Sequence, residues 1–216
     1  MKMNTPSSSF PDLRLAEVSA HRGRHLPQWQ AAGAVYHVAF HLADSIPQAE
    51  LAAWREIREE LDRKAKTEGR ELTSDERQLL RDAHDARIER YLSAGYGACL
   101  LRDRTCSQSV EKTLLHGNGM EYALHLYAIM PNHVHVIVGG IATQECLKKT
   151  IDTWKRVAAH GINRACGRTG PVWMNDAYTR IIRNADEYRR QLSYVWLNPE
   201  SAGITTGFRR QRFVTW

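Results

Sequence analysis

The sequence predicts an α+β protein, an antiparallel sheet with helices on one face, and three observations carry that prediction. Short β-branched and aromatic runs recur at 34–42, 121–129, 134–138 and 178–183. Between most of them lie longer stretches with apolar residues at helical spacing, over about 107–116, 143–166 and 185–197. The middle two runs are joined only by Met130-Pro131-Asn132-His133, a corner short enough to demand antiparallel pairing.

Taken in order, residues 1–24 are rich in Ser, Pro and polar groups and read as a flexible segment. Ala-Val-Tyr-His-Val-Ala-Phe-His-Leu at 34–42 is the first strand, stopped by Asp44-Ser45-Ile46-Pro47. The stretch 48–92 is helical and densely charged, interrupted near Thr67-Glu68-Gly69, with Thr73-Ser74-Asp75-Glu76 supplying a cap for a second helix. A short strand is expected at 97–101, then a helix over about 107–116 and a turn at Gly117-Asn118-Gly119. After the central hairpin, a long helix from about 143 to 166 turns Ile151, Trp154 and Ala158 inward, and Gly167 to Gly170 end it. A strand at 178–183 precedes the last helix, whose start is marked by Asn184 and Glu187 in capping-box spacing. Outside the charged hairpin the order is strand, helix, strand, strand, helix, strand, helix, which favours a ferredoxin-like core with a charged helical insertion.

The chain has 216 residues, 43% of them hydrophobic, enough for one domain with an insertion or two small ones. Its net charge is +6, unevenly spread: residues 48–92 hold 10 Lys/Arg against 12 Asp/Glu, leaving 20 against 12 elsewhere. The basic character therefore belongs to the part that carries the histidines, which is compatible with a polyanionic partner and equally with a solvated surface. Cys99, Cys106, Cys146 and Cys166 lack the close-pair spacing of zinc or redox motifs and read as reduced core residues. No run approaches the roughly 18 apolar residues of a membrane span, and the N-terminal stretch has no apolar core, so the expectation is a cytoplasmic protein without a membrane partner.

The chemistry concentrates in two places. In a strand, successive side chains alternate faces, so His133 and His135 share one face while Val134, Val136 and Val138 share the other. On the last helix, Tyr188, Leu192 and Val195 form an apolar stripe, while Tyr194 and Asn198, four apart, share a neighbouring face. Pro199 disfavours helical geometry at Asn198 and puts the asparagine at the helix end. Two imidazoles and one amide oxygen leave open positions on a divalent cation, as a catalytic site requires. Such a cation polarises a phosphodiester, and Tyr194 is the candidate nucleophile, forming a phosphotyrosine that conserves the energy of the broken linkage.

Met130-Pro-Asn-His-Val-His-Val136, Trp154-Lys155, Gly170-Pro171-Val172-Trp173, Ile182-Arg183 and Tyr194-Val-Trp-Leu-Asn-Pro199 with Ala202-Gly203 resemble the single-tyrosine HUH transposases of the IS200-like group. The similarity is greatest to the REP-associated tyrosine transposases and runs from roughly residue 25 to 203. It implies a single HUH endonuclease-fold domain over 25–203 with the insertion at about 48–92 and a basic, aromatic tail at 204–216. By the same resemblance, His133 and His135 bind Mg²⁺ or Mn²⁺ with Asn198, and Tyr194 attacks single-stranded DNA. The implied partner is DNA carrying REP-like hairpins, handled by a monomer or homodimer. Candidate DNA contacts are Asn132, Lys155, Arg180, Arg183 and Arg102. Glu200-Ser201 and Val172 depart from the family's usual residues at those positions.

Other sites fit less well. A histidine-triad hydrolase needs a third alternating histidine where Ile137 stands, and a cupin needs an early glutamate in a barrel, whereas Glu145 is late and helices intervene. His37, His41, His125 and His160 read as packed or surface residues, and Trp154 as core. The 208–216 tail either stacks on unpaired bases or docks its aromatics onto the domain. Two further functions compete: a regulator that binds hairpins without cutting them, and a phosphodiesterase that uses water with Tyr194 only orienting the phosphate.

Overall fold

The computed structural model describes residues 19–22, 27–30 and 34–214. Most of the expected flexible segment 1–24 and the last two residues of the tail lie outside that set. The elements are β1 (Ser19–Arg22), β2 (Pro27–Gln30), β3 (Val35–His41), α1 (Gln48–Thr67), α2 (Ser74–Ser93), α3 (Arg104–His116), β4 (Ala123–Ile129), β5 (His133–Gly139), α4 (Gln144–Ala165), β6 (Tyr178–Ile182), α5 (Ala185–Ser201) and β7 (Arg209–Arg212). β1 and β2 pair with each other, and the other five strands form one antiparallel sheet in the order β6-β3-β5-β4-β7. The run β3-α3-β4-β5-α4-β6 with its last strand beside its first is the predicted ferredoxin-like arrangement, extended by β7 at the β4 edge.

The pleat sorts the core into two layers. Tyr36, Val38, Phe40, Val134, Val136 and Val138 pack with Val110 and Leu114 of α3 and with Leu147, Ile151, Trp154, Ala158 and Ile162 of α4. Their neighbours Val35, Leu126, Ala128, Ile137 and Ile182 point the other way and are covered by Leu192 and Val195 of α5. Helices α3 and α4 thus lie together on one face, and the terminal helix takes the opposite one. β5, central and His-Val-His-Val-Ile-Val-Gly in sequence, is buried along its whole length.

Two local expectations are corrected. Residues 97–101 are not a strand: Gly97 (φ 93°) and Cys99 (φ 49°) both take left-handed backbone, and a 3-10 turn follows at Leu100–Arg102. A Cβ on Gly97 would stand 2.6 Å from the Asp44 carbonyl oxygen, so this close crossing needs glycine. The last helix also runs past Asn198 to Ser201, because Pro199 removes only one donor near a C-terminus that Ala202 N–H closes onto the Asn198 carbonyl (3.0 Å).

The charged stretch forms α1 and α2. Thr73 and Glu76 make a full capping box at the start of α2, Glu50 pairs with Arg87, and the Trp54 and His84 rings meet at 4.8 Å. Among the described residues no helix is long and apolar enough to cross a membrane.

Candidate functional site

Strand register brings His37, His41, His133 and His135 together on the α5 side of the sheet. His41 of β3 lies directly opposite His133 of β5, and His37 sits one diagonal step from His135, whose own partner is Ala39. Across them, α5 presents Gln191, Tyr194 and Asn198, three and four residues apart and hence on one side of the helix. The Tyr194 ring stands edge-on to His135 (centroids 5.6 Å, 79°) and to His37 (6.0 Å, 66°).

The hydrogen bonds of Asn132 fix the tautomer of His133. Asn132 Nδ2 donates to the Tyr96 carbonyl (3.0 Å), so its Oδ1 accepts from His133 Nδ1 (2.8 Å) and His133 Nε2 is left unprotonated. His135 Nδ1 lies 3.0 Å from His37 Nε2, and with the proton on His135 Nδ1 its Nε2 is likewise a lone pair. His133 Nε2, His135 Nε2 and Asn198 Oδ1 are all buried and without a hydrogen-bond partner. Each such atom costs on the order of 1–3 kcal/mol when left unpaired. Three of them on neighbouring residues form a set of donors that could hold a divalent cation. Among the described residues no group of three His, Cys, Asp or Glu side chains is arranged for a metal, so the amide of Asn198 is the third donor this fit requires.

Electrostatics keep the imidazoles neutral. Burial drives His133 and His37 well below the usual histidine range, helped in each case by His135, and burial alone brings His135 to about 4. His41 is also brought to about 4, chiefly by burial, with its Nδ1 held against Ser45 Oγ (2.7 Å). The folded protein therefore binds fewer protons than the unfolded chain, and folding releases protons. For His135 this contribution is complete above about pH 6.5 and is lost as pH falls toward 4, a swing of roughly 3 kcal/mol. Thermal melts of the metal-free protein are expected to show a steep fall in Tm between pH 6.5 and 4; a flat profile there would contradict the buried, neutral cluster.

Tyr194 is 41% exposed as a residue, so it sits at the surface end of the histidine cluster. Burial of the phenol raises its pKa, the charge and hydrogen bond of Glu89 raise it further, and Asn198 opposes them. Glu89 belongs to α2, which brings the charged insertion to the tyrosine.

No family model matches the sequence. No curated protein matches it either. Among the solved structures that match is one that aligns over most of this chain's length. It is a REP-associated tyrosine transposase bound to a REP hairpin, with 13% identity, a TM-score of 0.42, and coverage of 86% of this chain and 74% of that one.

The remaining sequence candidates fall into three groups. Asn132 is fully buried with both polar atoms engaged, so its task is to hold His133 rather than to meet DNA from solvent. Lys155 donates to the Met174 and Asn175 carbonyls (2.6 Å each) and thereby ties α4 to the loop before β6. Arg180 shares the face of His37, to which it is paired in register, and binds Glu187 at 2.8 Å with half its side chain exposed. Arg183 and Arg102 expose their side chains, Arg183 just after β6 and Arg102 in the 3-10 turn. Glu187 was expected to return a bond to its cap; instead it accepts from Arg180 and from the Arg183 backbone, while Asn184 caps the helix through Glu187 N–H (2.8 Å).

The tail docks. β7 pairs with β4, Arg210 lies 4.0 Å over the Trp196 ring and 2.7 Å from Glu200, Arg209 pairs with Glu111, and the Phe213 ring rests 6.2 Å from that of Tyr127. The unusual Glu200 is thus the partner of a tail arginine. Of the cysteines, Cys99 and Cys106 are buried as expected, whereas Cys146 and Cys166 are exposed.

Sequence reasoning missed His37, His41, Gln191 and Glu89. The first two had a signal: four apart in one strand, they share a face, and the register places that face beside His133 and His135. Glu89 had none, because its reach to Tyr194 depends on how the α1–α2 hairpin folds back.

Proposed function

We propose that this protein is a metal-dependent single-stranded DNA endonuclease and strand transferase that cuts beside REP-type hairpins through a 5′-phosphotyrosine on Tyr194. The observation that carries the reading is the set of three buried, unpartnered lone-pair atoms, on His133, His135 and Asn198, grouped beside a half-exposed phenol. The hairpin substrate rests on the sequence resemblance.

Those three side chains would hold Mg²⁺ or Mn²⁺, which when bound supplies positive charge to a phosphate and its leaving oxygen. The protein's own residues do the rest. Tyr194 Oη forms the new bond to phosphorus while the bond from phosphorus to the 3′ oxygen breaks, and that oxygen takes a proton from solvent and leaves as a 3′ hydroxyl. The phenol proton has Glu89 within reach as acceptor, and Asn198 favours the phenolate that results. Edge contacts from His37 and His135 orient the ring. Attack by a different 3′ hydroxyl on the phosphotyrosine reverses the step and joins a new strand, with no net loss of phosphodiester energy.

His37 supports this site through the 3.0 Å contact of its Nε2 with His135 Nδ1. Removing a partner of a metal-binding histidine typically lowers affinity by about 10–100-fold. We expect His37→Leu to weaken Mn²⁺ binding by that factor in calorimetric titration while the far-UV spectrum is unchanged; undiminished binding would remove His37 from the account.

The function is tested by incubating the protein with end-labelled single-stranded hairpins and Mg²⁺ or Mn²⁺. Cleavage with one product released and the other retained by denatured protein is the expected result. Tight hairpin binding without cleavage in either metal would favour a regulator that binds and does not cut.

A further inference from the structure

On the far face of the sheet from the histidines, α3 and α4 bring two thiols together. Cys106, fully buried in the first turn of α3, has its Sγ 3.1 Å from that of Cys166, the exposed residue that ends α4. Non-bonded carbon atoms rest roughly 3.5–4.0 Å apart, and sulfur is larger, so this is an unusually close approach. The helix packing fixes it. A Cβ on Gly161 would lie 2.7 Å from Ser109 Oγ, so the glycine lets α4 close onto α3 within a turn of Cys106. Asp103 pins the same turn by accepting Cys106 N–H at 3.0 Å.

We propose that Cys106 and Cys166 are an oxidation site, joined by a small-molecule disulfide such as oxidised glutathione into an intramolecular cross-link between the start of α3 and the end of α4. Cys166, being exposed, meets the oxidant. Its thiolate attacks one glutathione sulfur, the glutathione disulfide breaks, and one glutathione leaves as thiolate. Cys106 then attacks Cys166 Sγ and expels the second glutathione, its proton passing to the departing glutathione sulfur. Two protein thiols are oxidised and one glutathione disulfide is reduced to two thiols. Burial, with Cys166 adding to it, pushes the Cys106 thiol up to about 12, which makes it a poor first attacker and leaves it dependent on its fixed proximity to Cys166. The cross-link closes a loop containing β4, β5 and α4, and so restricts the unfolded chain while leaving the histidine face untouched.

The test treats the full chain, carrying Cys146→Ser to remove the other exposed thiol, with oxidised glutathione and follows intact mass, a non-reducing peptide map and thermal melts. The expected product is lighter by two hydrogens, retains no glutathione and yields a linked peptide containing Cys106 and Cys166. Its Tm should rise on the order of 5–10 °C and return on reduction. Adding Cys166→Ser, a surface change, should abolish both effects. Persistent free thiols, arrest at a glutathione adduct on Cys166, a link to Cys99, or a cross-link without a rise in Tm would each overturn the proposal.

Discussion

Tyr194→Phe is expected to leave hairpin binding intact and to eliminate the covalent protein–DNA product. The phenyl ring keeps its edge contacts with His135 and His37, and Leu192 and Val195 still seat α5 on the sheet. Only the oxygen that would bond to phosphorus is gone. Losing a nucleophile costs on the order of 10⁴-fold or more in rate where no other group replaces it. Electrophoresis of labelled DNA under denaturing conditions distinguishes the outcomes. If the variant cleaves at a tenth of the wild-type rate, water is the nucleophile and the phenol only orients the phosphate.

The second large effect falls on His133. Its Nε2 is one of the three unpartnered donors, and its Nδ1 is fixed by Asn132, itself anchored to the Tyr96 carbonyl. On the proposed reading His133→Ala removes a metal ligand outright, and Mn²⁺ affinity should fall by more than about 100-fold, beyond the loss typical of a supporting residue. Cleavage should fall with it. The substitution also leaves Asn132 Oδ1 without its donor in a fully buried corner, at a cost of about 1–3 kcal/mol, so a modest drop in Tm accompanies the loss. Calorimetric titration with Mn²⁺ on folded variant checks this directly, and wild-type affinity would show that the imidazole is a core residue and no more.

How much of this was legible in the sequence follows from what each feature depends on. The β4–β5 hairpin, the α4 stripe and the sharing of one face by His133 and His135 rest on local periodicity, and the fold reproduces them. The proximity of Tyr194 and Asn198 to that face needed the α5 helix to cross the sheet on the side away from α3 and α4, which no local pattern specifies. His37 became visible only through the β3–β5 register, which turns a residue read as packing into a partner of His135. Residues 97–101 looked extended by composition, yet the close crossing of Gly97 over Asp44 forces left-handed backbone there. The tail's arginines advertised a nucleic-acid surface, but Glu200 and Glu111 supply carboxylates that tether two of them to the domain.

The most direct test of the central claim is to trap the product with a single-stranded hairpin, digest the DNA and the protein, and locate the remaining nucleotide by mass spectrometry. Cleavage after Arg190 and Arg209 gives a peptide, 191–209, in which Tyr194 is the sole tyrosine. The account predicts a nucleotide linked through its 5′ phosphate to that residue, formed only with Mg²⁺ or Mn²⁺ present. An unmodified 191–209 peptide alongside DNA ending in a free 5′ phosphate, or a nucleotide on another tyrosine, would contradict it.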